Sequence, residues 1–245
     1  MNKNLIVATQ TLYLEDMDEI ERVRYKLALQ TIEKTVKSGI PILIIDGDSP
    51  DYMIEEFIKR GAKMHGQKGK TYAGSVKQGF KAAYDEKIDH IVWTQIEKVS
   101  LIKDLEKIIS PLGYSHLVIP SRNKKLRKES YPEPQFLLEE FTNIYWNLLT
   151  GKKWDITFGV MAMNRDISKL FIEYDESNGS KWECLQLPLI DALKKDIKFE
   201  NVELDIIYPL EQKNLEMNNL RIYRKRMEQL NSVVCAWERY LKKDF

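Results

Sequence analysis

The stretch Pro41-Ile42-Leu43-Ile44-Ile45-Asp46-Gly47-Asp48-Ser49-Pro50 decides the fold class. Residues 42–45 are apolar at every position, as in a parallel strand that is covered on both faces. The polar turn behind them offers Asp46 and Ser49 as caps for a helix over residues 51–60. A buried strand that leads through a tight turn into a helix is typical of an α/β sheet.

Strand patterns alternate with helical patterns on both sides of this stretch. The alternation predicts a mainly parallel sheet with helices on both faces, in one domain. The predicted strands of the first half cover residues 5–9, 41–45, 62–64, 88–93 and 117–120, and the helices cover 18–37, 51–60, 75–83 and 101–110. In the second half, the sequence predicts a mobile loop at 124–134 and strands at 156–163 and 199–208. It predicts helices at 136–149, 167–174 and 183–193, and a long terminal helix at 214–243.

Composition narrows the function classes. The 245 residues are 43% hydrophobic and 31% charged, as in soluble globular proteins. The 38 Lys and Arg residues nearly balance the 37 Asp and Glu residues, so no bulk charge favours nucleic acid or an anionic membrane, and any anion site must be local. Two distant cysteines, no signal-peptide pattern and no run of ~20 apolar residues predict a cytoplasmic protein without a transmembrane segment.

Polar residues follow three of the predicted strands. In open parallel sheets, ligands bind beyond the carboxyl ends of the strands. Thr9 and Asp46 are therefore candidates to hold a nucleoside, with Asp48 in the same turn; the alternative is that Asp46 only caps the next helix. Gln95-Ile96-Glu97 follows a third strand, and Glu97 could hold Mg²⁺ or Mn²⁺ against a diphosphate, or simply pair with Lys98.

A glycine- and lysine-rich loop covers residues 66–75. Its glycines would let backbone N–H groups approach a phosphate, and Lys70 and Lys77 would add positive charge. The loop matches neither the P-loop nor the GxGxxG pattern, and a solvated basic loop is the alternative.

Two further carboxylates are candidates for acid–base chemistry in the second half. Asp155 precedes a predicted strand near Gly159, and it could act as general base or contact an acceptor. Glu183 follows Trp182, whose ring could stack on a sugar while the carboxylate works beside it. The alternative for Trp182-Glu183 is a core tryptophan followed by a glutamate that starts a helix.

Taken in order, these segments resemble the nucleotide-diphospho-sugar transferase fold of type GT-A, and most closely the family 2 glycosyltransferases. The segment 42–51 resembles that family's strand ending in Asp-Gly-Ser-x-Asp, and 117–122 resembles a later strand ending in Gly-Ser-Arg. The segments 69–83 and 155–165 also resemble segments of that family in their order along the chain and in their residue types. Residues 91–97 occupy the place of the strand that leads to the DXD metal motif, although Gln95-Ile96-Glu97 replaces its aspartates.

This resemblance implies a three-layer α/β/α fold with a mixed, mainly parallel sheet and a long C-terminal helix. It implies a nucleotide-sugar-binding half at 1–123, an acceptor half at 124–210 and the terminal helix at 211–245. The implied activity is transfer of a sugar from a nucleotide-diphosphate donor to a hydroxyl acceptor, with Mg²⁺ or Mn²⁺ at Glu97. Thr9, Asp46, Asp48, Gln95 and the two lysines would bind the donor, and Arg122 would contact its phosphates or the acceptor.

Two other functions remain open at this point. The altered DXD motif is compatible with a non-catalytic binding protein on the same fold. A sugar-phosphate nucleotidyltransferase is disfavoured, since residues 9–14 lack the glycine-rich loop that follows its first strand. The apolar stripe of the terminal helix more often packs on the parent domain, although a homodimer is possible. The same helix has a basic face that could touch a membrane surface, formed by Arg221, Arg224, Lys225 and Arg226.

Overall fold

A computed structural model describes residues 4–242, which form a seven-stranded sheet with an apolar core on each face and a separate two-stranded ribbon. The strands are β1 (Leu5–Thr11), β2 (Ile42–Asp46), β3 (Lys63–Gly66), β4 (His90–Trp93), β5 (Leu117–Val118), β6 (Ser121–Arg122), β7 (Met161–Asn164), β8 (Phe199–Glu200) and β9 (Glu203–Leu204). The helices are α1 (Glu19–Lys37), α2 (Asp51–Lys59), α3 (Tyr72–Asp85), α4 (Leu105–Ile109), α5 (Lys124–Ser130), α6 (Glu133–Thr150), α7 (Lys169–Ile172), α8 (Leu187–Lys194), α9 (Leu210–Glu216) and α10 (Leu220–Lys242).

The main sheet has the strand order β3-β2-β1-β4-β7-β5-β8, and β6 pairs with β9 in the ribbon. Strands β1 to β4 are mutually parallel, whereas β7 runs antiparallel to both β4 and β5. The predicted mixed, mostly parallel α/β sheet is therefore confirmed. The long C-terminal helix α10 is also confirmed.

Strand β2 is covered on both faces, as its uniform apolar sequence predicts. All five of its residues are buried, and the apolar side chains of residues 42–45 alternate between the two cores. Its register with β1 pairs Thr11 with Asp46, so the two strands end at the same level of the sheet. This alignment places their polar turns side by side at the carboxyl edge.

Helix α3 approaches the sheet unusually closely at Gly79. A Cβ atom there would lie 2.8 Å from the ring of Trp93 on β4 and 3.4 Å from the side chain of Ile45 on β2. Both neighbours are buried, so neither has room to move away. Glycine at this position lets the helix pack directly over β2 and β4.

The prediction of a mobile loop at 124–134 is wrong, because α5 and the start of α6 fill this segment. Asn123 caps α5, since its side chain accepts a hydrogen bond from the Leu126 N–H at 3.2 Å. Arg127 then anchors the helix, because its guanidinium is buried and pairs with Asp155 and Glu140. These partners are distant in sequence, which is why the local charge pattern looked like a loop.

Several predicted elements are shorter or divided in the structure, and two of them have a clear local cause. The strand predicted at 156–163 begins only at Met161, since Gly159 has a left-handed φ of 67° and ends a short 3₁₀ turn. The terminal helix predicted from 214 is divided into α9 and α10, because the Asn219 side chain accepts from the Ile222 N–H and starts a new helix. Its predicted end at 243 lies outside the described residues.

None of the helices within residues 4–242 has the length and apolar character needed to cross a membrane. The boundaries predicted at residues 123 and 210 stay predictions.

Candidate functional site

A cleft of about 510 Å³ opens beyond the carboxyl end of β4. Gln95, Glu97 and Lys98 follow that strand directly and contribute to its lining. Arg122 lines it from the ribbon strand β6, and side chains of α1, α6 and α10 complete it. Ligands of open α/β sheets bind beyond the carboxyl ends of the strands, so this cleft is the candidate active site.

Positive side chains outnumber negative ones around the cleft. The seven basic residues of the described chain that line it are Arg24, Lys34, Lys98, Arg122, Arg221, Lys225 and Arg226. The four acidic ones are Asp18, Glu21, Glu97 and Glu139. Asp18 and Glu21 are already engaged in the capping box of α1. Asp155 and Glu216 lie behind the lining and pair with Arg122, Arg24 and Arg226, so they offset part of this surplus. The whole chain has a net charge of only +1, so the positive charge that remains is local and favours an anionic ligand.

Arg24 of α1 and Arg226 of α10 share one buried carboxylate, that of Glu216 at the end of α9. Their Nη2 atoms lie 2.6 Å and 3.1 Å from its two oxygens. Burial alone would raise the pKa of the Glu216 carboxyl, but the two guanidiniums outweigh burial and lower it. Two guanidiniums share one carboxylate, so the cluster of Arg24, Arg226 and Glu216 has a net charge of +1 beside the cleft.

Lys98 places an ammonium group beside Arg122. Its Nζ lies 4.7 Å from the centre of the Phe158 ring, and the Arg122 guanidinium lies 5.0 Å from the same ring. Desolvation and the charge of Arg122 lower the pKa of the Lys98 ammonium to about 8, although Glu97 opposes the shift. The cleft therefore has two neighbouring cations next to the strand end that carries Glu97.

Arg122 is fixed by Asp155 through two hydrogen bonds, Nε to Oδ2 at 2.6 Å and Nη2 to Oδ1 at 2.8 Å. Arg127 and Asn143 also donate to Asp155 Oδ1, each at 2.9 Å. Burial would raise the pKa of the Asp155 carboxyl, but the guanidiniums of Arg122 and Arg127 hold it well below its usual value. Such a carboxylate is a poor proton acceptor, and it does not line the cleft.

The predicted nucleoside-binding turn is closed by its own hydrogen bonds. Asp46 Oδ1 accepts from the backbone N–H groups of Asp48 and Ser49, and Oδ2 accepts from the hydroxyls of Thr11 and Ser49. Asp48 is exposed, with a left-handed φ of 87°, while Thr9 is buried inside β1. None of the three predicted residues, Thr9, Asp46 and Asp48, lines the cleft.

Three further predicted site residues, Lys70, Lys77 and Glu183, also lie outside the cleft lining. Lys70 is exposed in the loop before α3, and the Lys77 ammonium donates to the Tyr174 carbonyl at 2.8 Å. Glu183 is buried, and its Oε1 accepts from the Lys181 N–H at 3.2 Å. Trp182, in contrast, does line the cleft, 3.7 Å from the position that a Cβ of Gly159 would take.

The residues around Glu97 do not fit a metal site made by protein side chains. No group of three or more His, Cys, Asp or Glu residues in the described part of the chain could hold a metal ion. Gln95 offers a neutral amide where the DXD motif has an aspartate, and the ammonium of Lys98 is a competing positive charge. Hard cations such as Mg²⁺ need several oxygen ligands, and Glu97 supplies one carboxylate.

Three of the residues predicted from the sequence, Gln95, Glu97 and Arg122, line the cleft. The sequence analysis does not single out Lys98, Arg24 or Arg226 as site residues, although they line it too. A signal for Arg226 exists in the sequence, because it lies four residues after Ile222 and four before Leu230, on the apolar side of α10. A charged residue in an apolar stripe indicates a buried partner or a ligand.

No family model matches the chain, and none of the curated protein sequences compared with it is a significant match. Its fold is similar to that of several solved structures. Glucosyl-3-phosphoglycerate synthase from Mycobacterium tuberculosis superposes with a TM-score of 0.64 at 11% identity, over 96% of this chain and 81% of that one. Mannosyl-3-phosphoglycerate synthase from Rubrobacter xylanophilus gives 0.66 at 12% identity, over 98% and 74%.

A third structure is the M. tuberculosis synthase in complex with Mg²⁺ and UDP, with a TM-score of 0.56 at 13% identity over 92% of this chain and 79% of that one. These likenesses show that the chain has the GT-A nucleotide-sugar transferase fold. At such low identity they extend to the fold alone.

Proposed function

We propose that this protein is a glycosyltransferase that moves a sugar from a nucleotide-diphosphate donor to a hydroxyl acceptor. The observation that carries the proposal is the electropositive cleft beyond β4, on a fold whose solved examples include sugar transferases. A nucleotide-diphosphate sugar carries its negative charge at the bond that breaks, so a surplus of cations at a strand end suits this donor.

We assign the neutralisation of the leaving diphosphate to Lys98 and Arg122. During transfer, the bond from the anomeric carbon to the diphosphate oxygen breaks, a bond to the acceptor oxygen forms, and the proton of the acceptor hydroxyl passes to the departing diphosphate. Negative charge grows on the diphosphate as its bond breaks, and fixed cations stabilise that charge. Both cations already lie against the ring of Phe158. Their proposed role requires no metal ion, and Glu97 and Gln95 alone do not form a complete metal site.

The remaining predicted residues take supporting roles in this proposal. Asp155 positions Arg122 instead of accepting a proton, since its carboxylate is occupied by guanidiniums. Asp46 shapes the turn after β2, where a nucleoside would meet the backbone and Asp48. Trp182 offers an aromatic face to the sugar. Roles in donor binding for Thr9, Lys70 and Lys77, and a catalytic role for Glu183, stay predictions.

We further propose that the acceptor carries a negative charge. Arg221, Lys225 and Arg226 of α10, together with Arg24, supply positive charge from the C-terminal side of the cleft. The two guanidiniums that share Glu216 are ready to bind an anion, because their own countercharge is only one carboxylate. One of the similar structures is a complex with phosphoglyceric acid, which is an acceptor of this chemical type.

The test is calorimetric binding of UDP-, GDP-, ADP- and CDP-linked sugars, followed by an assay for nucleotide release with and without acceptor. We expect one nucleotide class to bind, and Lys98→Gln to weaken its binding about tenfold, since a charged hydrogen bond contributes ~1.5 kcal/mol. Lys103→Gln is the matched control, because this exposed lysine lies on the neighbouring turn outside the cleft lining.

Each outcome separates the candidate functions. Turnover that persists in a chelator and falls in Lys98→Gln supports cation-assisted transfer. Turnover that requires Mn²⁺ and is lost in Glu97→Gln would mean that a metal ion neutralises the leaving diphosphate, and it would contradict the role of Lys98. Tight donor binding without turnover would favour a non-catalytic binding protein, and no binding by any donor would reject the proposal.

A further inference from the structure

Helix α6 carries an apolar stripe that faces solvent. Leu137, Phe141, Ile144 and Leu148 expose 57%, 67%, 54% and 77% of their surface. The 4-3-4 spacing of these residues is that of a helix seam which packs against a second helix. Monomeric proteins rarely leave a large contiguous apolar patch exposed, so the stripe indicates a partner.

The stripe lies on the side of α6 that faces away from the cleft. Gln135 and Glu139 line the cleft, and each is two residues from a stripe residue, which on a helix means roughly opposite faces. A partner on the stripe would therefore leave the cleft open. The helix between these two surfaces is the one that presents Glu139 to Arg122 at 2.9 Å.

We propose that the partner is a second copy of this chain, with the two α6 helices packed antiparallel about a two-fold axis. In this register Leu137 opposes Leu148 of the second copy, and Phe141 opposes Ile144. The axis then passes between residues 142 and 143. Each copy uses the same patch, as a closed two-fold dimer requires.

Charges at the two ends of the stripe support this register. Glu133 begins α6 and is exposed, and Lys152 follows its Gly151 cap and is also exposed. The antiparallel arrangement also brings Glu133 to the C-terminal end of the second copy's α6, where Lys152 follows Gly151, on both sides of the axis. A parallel arrangement would instead bring the two Glu133 side chains together, and the helix dipoles would also oppose it.

The first experiment is sedimentation velocity of the full chain over a concentration series that extends well above the micromolar range. We expect a species of twice the 28.9 kDa chain mass, and a monomer for Phe141→Asp. Leu14→Asp is the matched control, because Leu14 is 59% exposed but lies outside the stripe. Both variants change exposed side chains, and unchanged circular dichroism and donor binding verify that they are folded.

A charge exchange then tests the register. We expect Glu133→Lys or Lys152→Glu alone to weaken the dimer about tenfold, because each replaces two opposite-charge contacts by two like-charge contacts. The double variant Glu133→Lys/Lys152→Glu should restore wild-type association. A chain that stays monomeric throughout the series, a dimer that survives Phe141→Asp, or a double variant that is no better than the singles would overturn the proposal. Binding to phosphatidylserine-containing vesicles that Phe141→Asp abolishes, in a monomeric chain, would assign the stripe to a membrane instead.

Discussion

Arg122 and Asp155, 33 residues apart in sequence, form a two-point ion pair in which only the arginine faces the cleft. The geometry fixes the guanidinium plane before any ligand arrives, because two parallel hydrogen bonds leave no rotational freedom. Glu139 and Thr157 hold the same Nη2 atom, at 2.9 Å and 3.0 Å. A cation held in this way can stabilise a developing negative charge without first having to reorganise.

Removing the carboxylate of this pair should destabilise the fold. Asp155→Asn leaves Arg122 and Arg127 buried without their shared countercharge, and breaking a buried pair costs about 3 kcal/mol. For a chain of this length we expect Tm to fall by about 10 °C. Asp166→Asn is the control, since Asp166 pairs with Lys169 at an exposed site and should change Tm by less than about 2 °C. Equal Tm values for the two variants would contradict the assigned role of Asp155.

Stability should fall steeply in acid because of Asp155 and Glu216. Both carboxyls have a folded-state pKa below the unfolded value of about 4, so their stabilisation is complete above about pH 5 and is lost as the pH falls. Urea unfolding between neutral pH and pH 3 measures this loss. Glu216→Gln should be less stable at neutral pH and lose less stability on acidification. Parallel pH curves for wild type and variant would show that Glu216 contributes nothing to the acid sensitivity.

Two adjacent residues of α10 allow a test of the anionic acceptor. Lys225 lines the cleft, whereas Arg224 points to Glu228, with Nε and Oε1 2.9 Å apart. Lys225→Gln should raise the KM for phosphoglyceric acid, used as a probe acceptor, about fivefold, since one rim charge contributes up to ~1 kcal/mol. Arg224→Gln should leave that KM unchanged, and neither substitution should alter donor affinity. A neutral acceptor such as glycerol that outperforms the charged probe would argue against an anionic acceptor.

The close approach of α3 to the sheet predicts an unusual response to Gly79→Ala. Alanine is the better helix former by about 1 kcal/mol, yet its Cβ would overlap the buried ring of Trp93. Overpacking of this kind costs about 1–3 kcal/mol, and we expect a net loss of ~1 kcal/mol in the free energy of unfolding. Gly113→Ala is the comparison, because a Cβ at Gly113 meets no atom within 4 Å. A stabilised Gly79→Ala would mean that the helix moves away from Trp93 at little cost.

The sequence predicted the features that depend on neighbouring residues. Strand β2 was recognisable because its four buried positions before Asp46, residues 42–45, all carry apolar side chains. The segment after β4 could be placed at the cleft because it follows a buried parallel strand, and its role as a site stays a prediction. The meaning of Asp155 was not recognisable, since it depends on Arg122, Arg127 and Asn143, which other elements bring to it.

The side of the cleft that α10 forms was also hard to predict, because its contacts join residues that are far apart in the sequence. The sequence predicts that Arg226 belongs to a basic face that could touch a membrane surface, but its side chain is only 23% exposed and pairs with Glu216. Its role requires Arg24, which is about 200 residues away in the chain. Helix α5 was missed for a related reason, because its anchor Arg127 is stabilised by tertiary contacts and not by local helix propensity.

The ion-pair bridge from Arg24 through Glu216 to Arg226 also has a consequence for folding during synthesis on the ribosome. Chains emerge from their N-terminus, so β1, α1 and β2 can form long before residue 216 is synthesised. Throughout that interval Arg24 has neither its carboxylate nor the opposite wall of the cleft. An anionic acceptor that binds through Arg24 and Arg226, as proposed above, would therefore find its site complete only after α10 has docked.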